Sequence, residues 1–334
     1  MRTLKLLLVY EPDMAMDYSR LGLQDLVDHL NGAEIRDSGG QHHSVSVTTL
    51  KVDRNSRTDR LADALAIGRE IDQLWLFGGL EVQDDQDRLG PSAQAALFAR
   101  MQSGLGIFAT GDHETLGGGL CGDIPRIRHM RYWRRREQSD RYPPAISGAY
   151  SAETGMAPLF GRKADYGSNR DTDLTPKPVW FANRVLPSGV KSNALVHPLG
   201  FHSEIGRIGY LPDHMHEGTC RPVRASHDDV SVTAEDVPEH GRYEMVAWTV
   251  RRGFDAEGID DVPVVEPIIH CFDHPSQGRI VVDSTFHHFT SSNVRAMRQA
   301  EQPEAIGPWT HCKEYPLNIV AWLSRVTRAT RAPH

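Results

Sequence analysis

The chain has 334 residues, with 37 Lys and Arg against 44 Asp and Glu, giving a formal net charge of −7. That length supports a sizeable core in two domains or in one decorated α/β domain, and the mixed composition excludes a disordered chain. The acidic balance argues against a dedicated nucleic-acid binder, and four cysteines in so long a chain exclude a disulfide scaffold.

The first predicted element is Leu4–Tyr10, a continuous apolar run that reads as a strand buried on both faces. It stops at Glu11 with no small-residue cleavage site after it, which argues against a signal peptide. Leu21–Leu30 carries Leu23, Leu26, Val27 and Leu30 on one helical stripe. Ser44–Val52 alternates and is rich in Val and Thr, so it predicts a strand. Thr58–Ile71 reads as a helix with Leu61, Leu65 and Ile67 inward, and Gln73–Phe77 as a short strand ending at Gly78-Gly79. A helix over Ser92–Gln102 and a strand over Gly106–Thr110, ending at Gly111, complete a β-α-β-α-β order. Such an order predicts an α/β fold whose parallel sheet has helices on both faces.

Regularity then lapses. Residues 121–242 are punctuated by proline, glycine, asparagine and aspartate, and read as a loop-rich insertion covering the active-site edge of a core formed by 1–120 and 243–334. Strand patterns return at Tyr243–Val250, Val262–Ile269 and Arg279–Thr285, and Pro316–Thr327 closes the chain as a helix. No segment reaches the roughly 20 apolar residues of a membrane span. Cys121, Cys220, Cys271 and Cys312 are widely separated and read as free thiols, which points to a cytoplasmic protein.

Seventeen histidines are the anomaly of the composition, because histidine is the commonest metal ligand and titrates near neutral pH. In open parallel sheets ligands bind beyond the carboxyl ends of the strands, and three strand ends here carry unusual residues. The strand at 106–110 runs into Gly111-Asp112-His113-Glu114, with Gly117-Gly118-Gly119 following. The strand at 279–285 delivers His287 and His288, which should point oppositely if the strand continues. Gly78 and Gly79 would let backbone approach a ligand and present amide N–H groups to it.

With these pieces the chain resembles the class I glutamine amidotransferase-like superfamily, and within it the trehalose-utilisation (ThuA-like) branch. The resemblance covers the strand–helix pattern of 1–120 and the strand-to-histidine element at 279–288. It implies a flavodoxin-like sheet and a site beyond the strand ends. In amidotransferases the turn after the central strand holds a nucleophilic Cys, and a late strand supplies its activating His. Positions 111–114 here are Gly-Asp-His-Glu, so the resemblance does not imply glutaminase activity. Cys121, in Gly119-Leu-Cys-Gly122, follows no apolar strand that would hold a strained nucleophile.

A third histidine group lies in Pro212-Asp-His-Met-His-Glu217, where His214 and His216 point the same way in extended backbone, flanked by Asp213 and Glu217. Two imidazoles and a carboxylate suit a catalytic metal site with an open water position, or else these loop histidines simply bond backbone carbonyls. His197 and His202 lie upstream, His270 and His274 flank Cys271, and His42-His43, His227, His240 and His334 read as surface residues. Six arginines between Arg126 and Arg136 interleave with Tyr132 and Trp133. They read as a solvated face pairing with acidic neighbours or with a second copy in a homo-oligomer, or, for Arg126 and Arg128, as binders of an anionic substrate.

The expectation is an enzyme with Asp112, His113, Glu114, Glu217, His287 and His288 as catalytic groups. Gly78, Gly79, Arg126 and Arg128 would bind a small polar or anionic substrate such as a sugar derivative or an amide. A divalent metal (Zn, Mn or Fe) on His113, His214, His216 and His288 would activate water, or metal-free His–carboxylate pairs would do acid–base work as a hydrolase or lyase. No nucleotide cofactor, membrane or nucleic-acid partner is expected. The alternative is a catalytically inactive binding module on the same fold.

Overall fold

The computed structural model describes residues 1–66, 70–80, 82, 87–112, 116–133, 176–185, 191–212, 218–221, 223, 232–254, 260–300, 307–326 and 328. In chain order these form β1 (Arg2–Tyr10), α1 (Gln24–Leu30), β2 (Glu34–Arg36), β3 (His42–Lys51), α2 (Arg57–Leu65), β4 (Gln73–Phe77), α3 (Pro91–Gln102), β5 (Gly106–Thr110) and the short α4 (Gly118–Cys121). There follow β6 (Lys177–Phe181), β7 (Asn183–Val185), β8 (Lys191–Val196), β9 (Phe201–His202), β10 (Gly206–Arg207) and β11 (Tyr210–Leu211). The last part holds β12 (Arg242–Phe254), β13 (Asp260–Asp273), β14 (Ile280–Asp283), α5 (Ser291–Gln299), α6 (Pro308–Cys312) and α7 (Glu314–Leu323).

Ten strands make one sheet in the order β11-β6-β12-β13-β14-β5-β4-β1-β3-β2. The run β14-β5-β4-β1-β3 is parallel throughout. Its central strands are buried on both faces, as the apolar runs of the sequence require. Leu8, Trp75, Phe108 and Val281 pair across it in register and face α1 and α7. Leu76, Ala109 and Val282 face the other way, onto α2 and α3. The helices bury one stripe each: Leu26 and Leu30 of α1 on one side, Leu61, Leu65, Leu97 and Met101 of α2 and α3 on the other.

The sheet is not parallel to its edges. β12, β13 and β14 alternate in direction, and β6 and β11 extend that antiparallel side. The chain returns from Asp273 to Ile280 in too few residues for a crossover, so β13 and β14 must be antiparallel. Residues 177–181 and 210–211 are strands of this sheet, whereas the sequence suggests a covering insertion from 121 to 242. The hairpin strands also run beyond the predicted spans, to Phe254 and to Asp273. No helix among the described residues is long and apolar enough to cross a membrane.

Candidate active site

The carboxyl ends of the parallel strands are level: Tyr10 pairs with Phe77, Phe77 with Thr110, and Thr110 with Asp283. The residues that follow each end share one rim, and four polar groups lie there: Glu11, Gly78-Gly79, Asp112 and Ser284-Thr285.

Glu11 and Arg57 are wholly buried and paired, with Arg57 Nη1 2.8 Å from Glu11 Oε1. The other Glu11 oxygen accepts the backbone N–H groups of Gly79 and Leu80, each at 3.0 Å. Burial pushes the Glu11 carboxyl up, against the opposing pull of the Leu80 and Gly79 amides and of Arg57. Gly78 N–H donates to Thr110 O at 3.0 Å. These amides are thus committed to the protein, which corrects the expectation that Gly78 and Gly79 offer theirs to substrate. The glycines are needed for close packing instead. A Cβ on Gly78 would collide with the backbone of Gly117, which itself has φ +86°.

Asp112 follows β5 and reaches the turn after β14. Its Oδ2 lies 3.3 Å from His287 Nε2, and its Oδ1 accepts from Thr285 Oγ1 at 3.4 Å. Thr285 Oγ1 in turn accepts the His287 backbone N–H at 3.0 Å, so one hydroxyl ties both partners. His287 stacks on Phe286, with ring centroids 5.1 Å apart. Its side chain is 11% exposed against 4% for Asp112, so the pair is enclosed but His287 reaches the surface. Arg131 clamps the two strand ends together: it is buried and donates to the backbone oxygens of Ser284, at 2.8 Å, and of Asp112. Gly218 makes room for that guanidinium, since a Cβ there would overlap it.

His288 has different neighbours. Its Nδ1 sits 2.9 Å from Asp283 Oδ1, and Tyr315 OH donates to Asp283 Oδ2 at 2.7 Å. Burial, then Asp283, push the Tyr315 hydroxyl far up, so it stays a donor. The two histidines have different partners and leave a 3₁₀ turn over Phe286–Phe289, not the continued strand that an opposite orientation supposes.

Arg126 and Arg128 are elsewhere. Arg126 stacks over Phe272 at 4.9 Å, and Phe272 pairs with Ile280 at the amino end of β14. Arg126 also bonds Glu235 O and Gln277, while Arg128 Nε and the Arg126 amide donate to Asp236 Oδ1 at 2.9 and 2.8 Å. His129 Nε2 lies 3.2 Å from the same carboxylate. Both arginines therefore anchor residues 233–236 away from the rim, which corrects their expected role as substrate binders. Arg126 holds φ +71° in a γ-turn closed by the Ile127 N–H to Pro125 O bond.

His113, Glu114, His214, His216 and Glu217 lie outside the described residues. Other imidazoles serve the backbone: His202 Nε2 meets Thr310 O at 2.8 Å, and His274 Nε2 meets Glu239 O at 2.9 Å. His43, expected at the surface, is buried beside Asp37 at 3.0 Å. All four cysteines are buried and none is in a disulfide. Burial raises the Cys121 thiol well above its ordinary pKa, so it is no ready nucleophile. Among the described residues His197, Glu244 and Cys271 bring ligand-capable atoms within 4.8 Å of one another.

Sequence reasoning misses Glu11, Arg57, Arg131, Asp283 and Tyr315. Two of them carry a readable signal: Glu11 and Asp283 are carboxylates at the carboxyl ends of apolar strands, the same kind of position that marks Asp112. No protein-family profile matches the chain, and neither does any curated protein.

Proposed function

We propose that the chain is an enzyme on an amidotransferase-like, flavodoxin-like scaffold, in which Asp112 and His287 form an acid–base pair at the rim where that family keeps its Cys and His. The scaffold reading is supported by strand order. Numbered along the chain, the five parallel strands lie 2-1-3-4-5, the order of flavodoxin-like sheets. The observation that carries the functional reading is the 3.3 Å contact between Asp112 Oδ2 and His287 Nε2 across adjacent strand ends. A carboxylate there fixes the orientation of the imidazole, so that His287 exchanges protons with a substrate. Thr285 holds the pair in position, and Arg131 fixes the strand ends that carry it. The substrate class is a small polar molecule, an amide or a sugar derivative, turned over by hydrolysis or elimination.

A metal-dependent form of the same reading draws on one observation. Asp283 holds Nδ1 of His288, the arrangement that orients an imidazole to ligate zinc, manganese or iron through Nε2. The acid–base form is preferred because both of its groups are in contact.

The test works without an identified substrate. Wild-type protein is incubated with a fractionated extract of small polar metabolites, and their consumption is followed by mass spectrometry. We expect at least one species to be consumed by the wild type and spared by Asp112→Asn and His287→Gln. An extract left unchanged by the wild type contradicts the enzyme reading and favours a binding module.

A further inference from the structure

We propose that His197, Glu244 and Cys271 form a binding site for one divalent ion of the zinc class, independent of the Asp112–His287 pair. The sheet register creates the first half of it. Glu244 on β12 and Cys271 on β13 are direct cross-strand partners, so their side chains leave the same face of the sheet side by side. His197 closes the site from a separate segment. Its backbone N–H donates to Ala182 O at 2.8 Å, its carbonyl accepts from Gly200 N–H at 2.9 Å, and its ring lies 6.0 Å from that of Trp322. The ring is thereby aimed at Cys271, with Nε2 3.9 Å from Sγ.

The dimensions suit a tetrahedral ion. Zn–S of about 2.3 Å and Zn–N of about 2.0–2.1 Å set sulfur and nitrogen about 3.5 Å apart at the tetrahedral angle. The observed 3.9 Å needs only a small side-chain rotation to reach that. The donor set is selective. Thiolate with imidazole favours zinc over calcium or magnesium, which prefer all-oxygen shells. Charge also balances, since one thiolate and one carboxylate neutralise a dipositive ion, as a buried centre requires. Cys271 and His197 are buried and Glu244 is half-buried, so a fourth ligand position would face solvent along Glu244.

His197 Nδ1 accepts the Leu199 N–H at 3.2 Å, which places the ring proton on Nε2, facing the Cys271 sulfur. Binding releases the thiol proton to solvent and moves the ring proton from Nε2 to Nδ1. Leu199 N–H then loses its acceptor, so the Pro198–Gly200 turn is where the free and bound forms differ.

Untagged, chelator-stripped full-length protein titrated with Co²⁺ tests this. We expect one equivalent to bind with a thiolate-to-cobalt charge-transfer band, the band to be lost when Zn²⁺ is added, and the Leu199 amide resonance to move. Cys271→Ser should abolish the band, Glu244→Gln should weaken binding at least tenfold, and Cys220→Ser should leave both intact. Glu244→Gln keeps the test valid should Cys271→Ser fold poorly. Absence of a one-equivalent band in the wild type, or binding by Glu244→Gln at wild-type strength, overturns the proposal.

Discussion

Asp112 Oδ2 and His287 Nε2 stand 3.3 Å apart, although the two residues lie far apart in the sequence. The contact is made by the sheet: β5 and β14 are parallel neighbours, and Thr110 pairs with Asp283, so the residues just past each strand end meet. A pair built this way depends on the register of the sheet and on the groups that pin the two turns.

Thr285 is the smallest of those groups to remove. Thr285→Val keeps the shape but deletes the oxygen that accepts the His287 amide and donates to Asp112. We expect turnover to fall by about tenfold, the cost of roughly one hydrogen bond at about 1.4 kcal/mol. The melting temperature should fall by a few degrees, because the buried His287 amide loses its acceptor, and steady-state kinetics beside thermal denaturation checks both.

Glu11 and Arg57 form a buried ion pair beneath the same rim. Glu11→Ala leaves the guanidinium without its carboxylate and orphans the Gly79 and Leu80 amides. Breaking a buried pair from one side costs about 3–5 kcal/mol. Urea denaturation should show a loss of that size, while Arg2→Ala, at an exposed pair with Asp72, should cost under about 1 kcal/mol.

Gly78 at the rim and Gly104 before the amino end of β5 separate steric need from conformational need. Gly78→Ala forces a Cβ into the Gly117 backbone, whereas a Cβ on Gly104, at φ +105°, meets nothing within 4 Å. We expect Gly104→Ala to cost about 1 kcal/mol from backbone strain alone. Gly78→Ala should cost more than about 3 kcal/mol or prevent folding. Equal losses in denaturant melts would contradict the packing described for the rim.

Much of the parallel half is legible in the sequence because it is bounded by its own chemistry. Gln73–Phe77 and Gly106–Thr110 are apolar runs that stop at glycine, and the strands have those same limits. The antiparallel half is less legible. Lys177–Phe181 lies among prolines, and its strand character comes from pairing with Trp248 and its neighbours on β12, not from local pattern. The same holds for the arginines. Arg126 and Arg128 look like exposed charge until Asp236, more than a hundred residues away, arrives to bury them. At the rim, the sequence marks both strand ends that carry Asp112 and His287. It does not say which of His287 and His288 turns toward Asp112, because the 3₁₀ turn that decides this is held both by the Thr285 cap and by the Phe286 N–H bond to Gly111 O across the rim.

Asp236 gives the anchor a pH signature. Burial alone would raise its carboxyl, but hydrogen bonds from His129, Arg128, the Arg126 amide and the Thr233 amide hold it well below the ordinary carboxylate range. A carboxyl depressed in the folded state adds stability that is complete above the unfolded value of about 3.9 and is lost as pH falls below it. Asp236→Asn should therefore be markedly less stable than the wild type at neutral pH. The gap should narrow as pH drops below about 4, and denaturation across that range checks it. A gap independent of pH would contradict this role.

The central claim is that Asp112 and His287 act as one unit. The most direct measurement is a double-mutant cycle on consumption of whichever metabolite the wild type turns over, using Asp112→Asn, His287→Gln and the pair combined. Loss of acid–base catalysis predicts a fall of about 10²–10⁴ in rate for His287→Gln. The double variant should be no slower than His287→Gln alone, because Asp112 works through the imidazole. Losses that multiply, or a His287→Gln protein as active as the wild type, would contradict the account.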